Sequence, residues 1–196
     1  MSFLLGLTGS IGMGKSTTAA MFRDAGCALW DADAAVHRLY GPGGAAVAPL
    51  AAAFPDAVQD GQVSRPALKV IIAQDPTALG RIEAIVHPLV GQDRADFIAG
   101  TTADIVVFDI PLLFEGGMQD QMDATAVVTT TSAEQRARVL ARGTMSAADF
   151  DLILARQMPD ADKRTRATYI IETDTLDHAR QQVLAIVDQI RGASHA

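Results

Sequence analysis

The chain has 196 residues, 49% hydrophobic and 20% charged, with a formal net charge of −7; this predicts one domain that buries roughly 70% of its unfolded surface and folds without staples. Its one cysteine, Cys27, excludes an internal disulfide framework and reads as a small core residue in a reducing compartment. The negative charge argues against a broad nucleic-acid surface, no apolar run reaches the length of a membrane span, and the N-terminus has no basic n-region, so a cytoplasmic protein without nucleic-acid or membrane partners is expected, as a monomer or weak homo-oligomer.

Phe3-Leu4-Leu5-Gly6-Leu7 reads as a buried strand. It runs into Gly9-x-x-x-x-Gly14-Lys15-Ser16, a complete phosphate-binding loop, and Thr17 to Phe22 reads as the helix that opens behind it. The glycines allow backbone N–H groups to turn inward at a helix N-terminus, where unsatisfied donors and the helix dipole favour phosphate. Lys15 is spaced to reach the β- and γ-phosphates of a nucleotide, and the Ser16 hydroxyl to hold Mg²⁺.

Gly26 marks the end of that helix, and Ala28-Leu29-Trp30 predicts a short strand delivering Asp31 and Asp33 to its C-terminal end, the edge where ligands sit in open parallel sheets. One of these carboxylates suits the task of orienting or deprotonating an acceptor hydroxyl, with Asp33 the better placed; the other reading is that either one caps the helix expected from about Ala34 to Tyr40. Residues 45–100 read as helical throughout, with stops at Pro55, Gly61, Pro76 and Pro88, a start at Ser64-Arg65-Pro66 and no strand. Such a helical insertion is a natural element to cover a substrate.

Asp104 to Asp109 predicts a central strand covered on both faces. Asp109 stands where a carboxylate can hold Mg²⁺ through water or cap the following turn. A further strand is expected at Ala124–Thr129. Capping-box patterns at Ser132 and Ser146 open two short helices, the second running to about Met158, with a break at Gly143-Thr144. Residues 134–166 hold seven basic side chains against five acidic ones, in an otherwise acidic chain. A last strand at Tyr169-Ile170-Ile171 and a closing helix with Val183, Ile186, Val187 and Ile190 on one face complete five strands alternating with helices. The expected class is therefore a doubly wound α/β domain with a five-stranded parallel sheet of the P-loop type, a helical insertion and a short lid. The chain contains no Asn, so the Asn-Lys-x-Asp base-reading motif of GTPases is absent, and transfer to a small acceptor is favoured.

Taken in order, Thr8-Gly9-x-Ile11-Gly12-x-Gly14-Lys15-Ser16, Asp31-Ala32-Asp33, Asp60-Gly61 with Arg65, His87-Pro88, Asp109-Ile110-Pro111-Leu112-Leu113-Phe114-Glu115, Gln135-x-x-Arg138-x-x-x-Arg142 and Arg156-Gln157-Met158-Pro159 resemble the dephospho-coenzyme A kinase family over nearly the whole chain. The resemblance implies ATP-dependent phosphorylation of the ribose 3′-hydroxyl of dephospho-coenzyme A, with ATP and Mg²⁺ bound. It implies ATP contacts from Gly12, Met13, Gly14, Lys15, Ser16 and Thr17, a base at Asp33, and lid arginines at Arg142 and Arg138. The acceptor would face Thr8, Asp33, His87 and the loop Pro111, Leu112, Leu113 to Glu115, with Arg65 and Arg81 toward its pyrophosphate. The division implied is a core at 1–32 and 101–196, an acceptor-binding part at about 33–100 and a lid at about 136–158. The chain departs from the family pattern at Gly91, Thr168 and Thr173, so no contact carries over there, and the adenine pocket is expected to use backbone groups or other side chains.

Overall fold

Short apolar runs become strands and amphipathic stretches become helices, in alternation. In the computed structural model, which describes residues 2–193, the order is β1 (Phe3–Thr8), α1 (Lys15–Asp24), β2 (Ala28–Asp31), α2 (Ala32–Tyr40), α3 (Val47–Ala53), β3 (Val58–Gln59), β4 (Gln62–Val63), α4 (Arg65–Gln74), α5 (Ala78–Gly100), β5 (Ile105–Asp109), β6 (Ala124–Thr129), α6 (Ser132–Ala141), α7 (Ala147–Arg156), α8 (Asp160–Arg166), β7 (Tyr169–Glu172) and α9 (Leu176–Ala193). Two compact units result, one formed by the chain up to Trp30 with the part from Thr101 onward, the other by Asp31–Gly100.

The first unit is built on a five-stranded parallel sheet in the order β2-β5-β1-β6-β7. β1 lies at its centre, with Leu5 opposite Val107 on one side and Ala124 on the other. Every residue of β5 and β6 is buried, which is why both read as apolar runs without alternation. Leu5 and Leu7, two apart, point to the same face and join Phe22 of α1 and Val183, Ile186, Val187 and Ile190 of α9 in one core. Each such side chain contributes about 1.5–3 kcal/mol on burial. The chain crosses to one side of β1 for β2 and β5 and to the other for β6 and β7. The end of β1 is therefore the topological switch point, where this class of sheet opens a crevice.

Two helix starts here are informative. At α7 the capping box is complete, Ser146 accepting the Asp149 N–H while Asp149 accepts the Ser146 N–H. At α6 the cap is Thr131 rather than Ser132, because Thr131 holds the extended conformation and accepts the Glu134 N–H, leaving Ser132 already inside the helix. α7 stops at Arg156, and α8 follows as a helix that the sequence patterns do not announce.

The second unit has its own core, in which Leu39, Leu50, Phe54, Val63, Leu68, Ile82 and Val86 meet. Ser64 caps α4 as expected, accepting the Ala67 N–H. Two expectations fail. A β3–β4 hairpin stands where no strand is predicted; Asp60-Gly61 forms its turn, with φ of 50° and 74°, the paired left-handed conformation that tight hairpins require. Pro88 does not stop a helix either, since α5 continues through it. Pro88 and Ala84, the residue whose carbonyl loses its helical partner, are both exposed, so water can take the freed acceptor.

Candidate active site

β1 ends in Thr8, and the loop after it turns on glycines into α1. Gly14, at φ 92°, is the N-cap of this ten-residue helix and supplies no side-chain cap, so the donors of its first turn are left for a ligand. Gly12, at φ 80°, lies so close to α6 that an added Cβ would stand 2.5 Å from Val139 Cγ2 and 3.0 Å from the Gln135 carbonyl. Ser16 and Thr17 are exposed at the helix start, whereas Met13 is buried, its sulfur accepting the Thr130 N–H. Lys15 Nζ donates to the carboxylate of Asp109, which is 4% exposed at the end of the adjacent strand, in register with Leu7.

Beside the loop lies a cavity of about 460 Å³ bordered by Gly12, Thr17, Arg138, Arg142, Thr173 and Leu176. Arg142 is exposed there. Arg138 is held in place, donating to Glu134 at 3.0 Å and to the hydroxyl and carbonyl of Thr173 at 3.0 and 2.6 Å. The buried Thr173 hydroxyl in turn donates to the Met13 carbonyl at 2.8 Å and is 3.2 Å from that of Thr129. A position where the family resemblance carries nothing over thus ties an arginine of α6, the phosphate loop and the end of β6 together.

The loop after β5 is anchored from below. Thr8 is fully buried and donates its hydroxyl to the Pro111 carbonyl at 3.0 Å. Leu113 is fully buried, while Leu112 is 49% exposed. Glu115 Oε1 accepts the Met158 N–H at 2.9 Å and lies 2.9 Å from Nζ of Lys163, itself wholly buried on α8. Burial pushes the Glu115 carboxyl up, but the Lys163 ammonium and the Met158 N–H outweigh it and hold it below the ordinary value. The phosphate loop is gripped likewise: Gln135 donates to the Ile11 carbonyl at 2.7 Å and Gln157 accepts the Ile11 N–H at 3.1 Å. Sequence reasoning missed Lys163 and Thr173 as elements of this site, and read Gln135 only as part of a cap and of a family pattern and Gln157 only as part of a family pattern. Each acts through contacts more than 30 residues distant in the chain, where no local spacing rule applies.

In the second unit, Asp31 caps α2 by accepting the Ala34 N–H at 2.8 Å, which leaves Asp33 exposed in the first turn with no capping duty. Arg65 is exposed, its guanidinium 5.6 Å from the centre of the Tyr40 ring. The two border a cavity of about 350 Å³ with His37, Gln59, Asp60 and Ser64. Arg81 lies elsewhere, 4.5 Å from the centre of the Phe54 ring, and His87 is exposed on α5.

The dephospho-CoA kinase family model matches residues 3–178. A dephospho-CoA kinase from Ruegeria pomeroyi is 68% identical over 197 residues, covering 100% of both chains. Among solved structures, TT1252 from Thermus thermophilus superposes with a TM-score of 0.86 at 34% identity, over 96% of this chain and 97% of the other. A dephospho-CoA kinase from Campylobacter jejuni, 22% identical, shares the fold with a TM-score of 0.73 over 99% of this chain and 100% of its own. With the phosphate loop, the parallel sheet and a match along nearly its full length, the chain belongs to the dephospho-CoA kinase family.

Proposed function

We infer that the chain transfers the γ-phosphoryl group of ATP to the ribose 3′-hydroxyl of dephospho-coenzyme A, giving coenzyme A, the last step of that synthesis, and ADP. The observation that carries this reading is the uncapped phosphate loop, set in a chain 68% identical end to end to a dephospho-CoA kinase.

The residues fit a bound nucleotide. Glycine at positions 12 and 14 leaves room and conformation for N–H groups to converge, the first turn of α1 keeps its donors, and Lys15 stands at the loop with its ammonium on Asp109. The Ser16 hydroxyl and the Asp109 carboxylate, which also pairs with Lys15, are hard oxygen donors that would hold Mg²⁺, and the ion would supply charge neutralisation to the phosphates. The N–H groups of Gly12 to Thr17 hold the phosphates and Lys15 offsets the charge of the transferring group. Arg142, exposed at the cavity beside the loop, contributes a second cation, and Arg138 frames the cavity through Thr173.

Asp33 is exposed and relieved of capping by Asp31, so its carboxylate is available to take or orient the proton of the 3′-hydroxyl as that oxygen bonds to phosphorus and the ADP oxygen departs. His87, Arg65 and Arg81 serve the acceptor, the two arginines toward its pyrophosphate. Thr8 and Glu115 spend their side-chain oxygens on Pro111, Met158 and Lys163, and serve it by shaping the loop from Pro111 to Glu115. Among the described residues no helix is long and apolar enough to cross a membrane.

The test is ADP release with Mg²⁺ and ATP against dephospho-coenzyme A, nucleoside monophosphates, shikimate and no acceptor, with product mass measured. One added phosphate on dephospho-coenzyme A alone is expected. Turnover on another acceptor with silence on this one would overturn the acceptor assignment and leave the phosphate site standing.

A further inference from the structure

Lys163 is a lysine with no access to water. A buried ammonium without a counter-charge is strongly disfavoured, so its placement demands a partner, and Glu115 at 2.9 Å is that partner. The helix that carries Lys163 is itself fixed, since Asp160 in its first turn accepts the Thr129 hydroxyl at 2.8 Å, at the end of β6. Glu115 also accepts the N–H of Met158, and the neighbouring residue Gln157 holds the N–H of Ile11 in the phosphate loop. Two successive residues between α7 and α8 thus grip both loops of the site, Gln157 the one that takes phosphate and Met158 the one that follows β5.

A carboxylate turned toward an anionic acceptor would repel it. In the observed arrangement the exposed Glu115 carries a charge that is met by the buried Lys163 ammonium 2.9 Å away, which offsets that repulsion.

We propose that Lys163 is a positioning residue which, through Glu115 and the Met158 N–H, locks the loop Pro111–Glu115 to the segment that also holds the phosphate loop, so that the acceptor is presented to the nucleotide in register. This rests on the acceptor-facing reading of that loop. Positioning of this kind shows in the acceptor's kinetics and leaves nucleotide affinity alone, because the cavity beside the phosphate loop has other walls and Gln135 still holds Ile11.

The experiment uses the full chain with Lys163→Met and with Lys163→Met/Glu115→Leu. The double variant replaces both charges with apolar groups and keeps the fold even where the single variant does not. For every variant that folds, the readouts are the melting temperature, KM for dephospho-coenzyme A, direct binding of ATP and hydrogen exchange of the Met158 amide. The expected result is a rise of about tenfold or more in acceptor KM, ATP affinity within about twofold of wild type, and faster Met158 exchange. The double variant retains the wild-type melting temperature and still carries the raised KM. A merely structural ion pair predicts the opposite, wild-type acceptor KM once the fold is restored, and that result overturns the proposal. So does a proportional loss of ATP and acceptor binding. A Glu115 that touched the acceptor itself would leave KM unraised in a folded Lys163→Met protein. If wild type fails to phosphorylate dephospho-coenzyme A, the functional reading falls, and unchanged Met158 exchange in the double variant would separately remove the lock.

Discussion

The two units differ in how they hold their candidate residues. In the sheet unit, Ser16, Thr17 and Arg142 are exposed, but other side chains near the phosphate loop are tied to distant parts of the chain: Thr8 to Pro111, Arg138 to Thr173, Glu115 to Lys163 and glutamines to the N–H and carbonyl of Ile11. In the helical unit, Asp33, Arg65, Arg81 and His87 are exposed, and the core beneath them is formed by other residues. A phosphate loop must present backbone donors at fixed positions, so its surroundings are rigid, and mutations there change stability and chemistry together. The exposed residues can meet a ligand without supporting the fold, and their mutation is expected to change activity alone.

Asp33→Asn is the sharpest way to break this contrast. A loss of turnover on the order of 10²–10⁴-fold is expected with the melting temperature unchanged; full activity would remove the carboxylate from the chemistry. Next in size, Lys15→Ala and Arg142→Ala are each expected to cost roughly 10²–10³-fold in turnover, read by steady-state kinetics at saturating acceptor. An Arg142→Ala protein with wild-type turnover would sink the role assigned to that arginine.

Leu113→Ala tests the other side of the comparison. Leu113 is fully buried, so denaturant unfolding should register a loss of about 2–5 kcal/mol, with weakened activity because the acceptor-side loop loses its anchor.

Acid tests the Lys163 pair more gently. The Glu115 carboxyl is held below its ordinary 4.5 in the folded protein, so the unfolded chain binds its proton first as pH falls. The stability the pair contributes is complete above 4.5 and is lost as pH descends from there through the folded value. The melting temperatures of wild type and Lys163→Met/Glu115→Leu, alike at neutral pH, should therefore separate in acid, with wild type falling below the double variant, and an unchanged difference between them at all pH would refute the linkage.

The smallest effect belongs to Arg81→Ala. Its side chain is about half exposed, so stability should move by no more than about 1 kcal/mol, while KM for the acceptor rises. A large drop in melting temperature would mean that its stacking on Phe54 supports the helical unit and that the contrast fails there.

The chain by itself determined whatever depends on neighbours in sequence. The phosphate loop, the five strands and the apolar face of α9 follow from spacing and periodicity, because glycine conformation, strand burial and helix phase are local properties. Some local signals were legible yet unused: Asp60-Gly61 is a hairpin turn in sequence as in structure. Tertiary structure alone decided that Asp31 caps and Asp33 does not, since either residue type suits a cap and only the backbone angles choose between them. It alone decided that Pro88 stays within a helix, because whether water reaches the orphaned carbonyl depends on which face is exposed. It also placed Lys163 against Glu115, 48 positions earlier, and Thr173 against the phosphate loop. Charge and hydrogen bonding act through space, and pairs so far apart in the chain meet only after the sheet has brought the loops at its strand ends together.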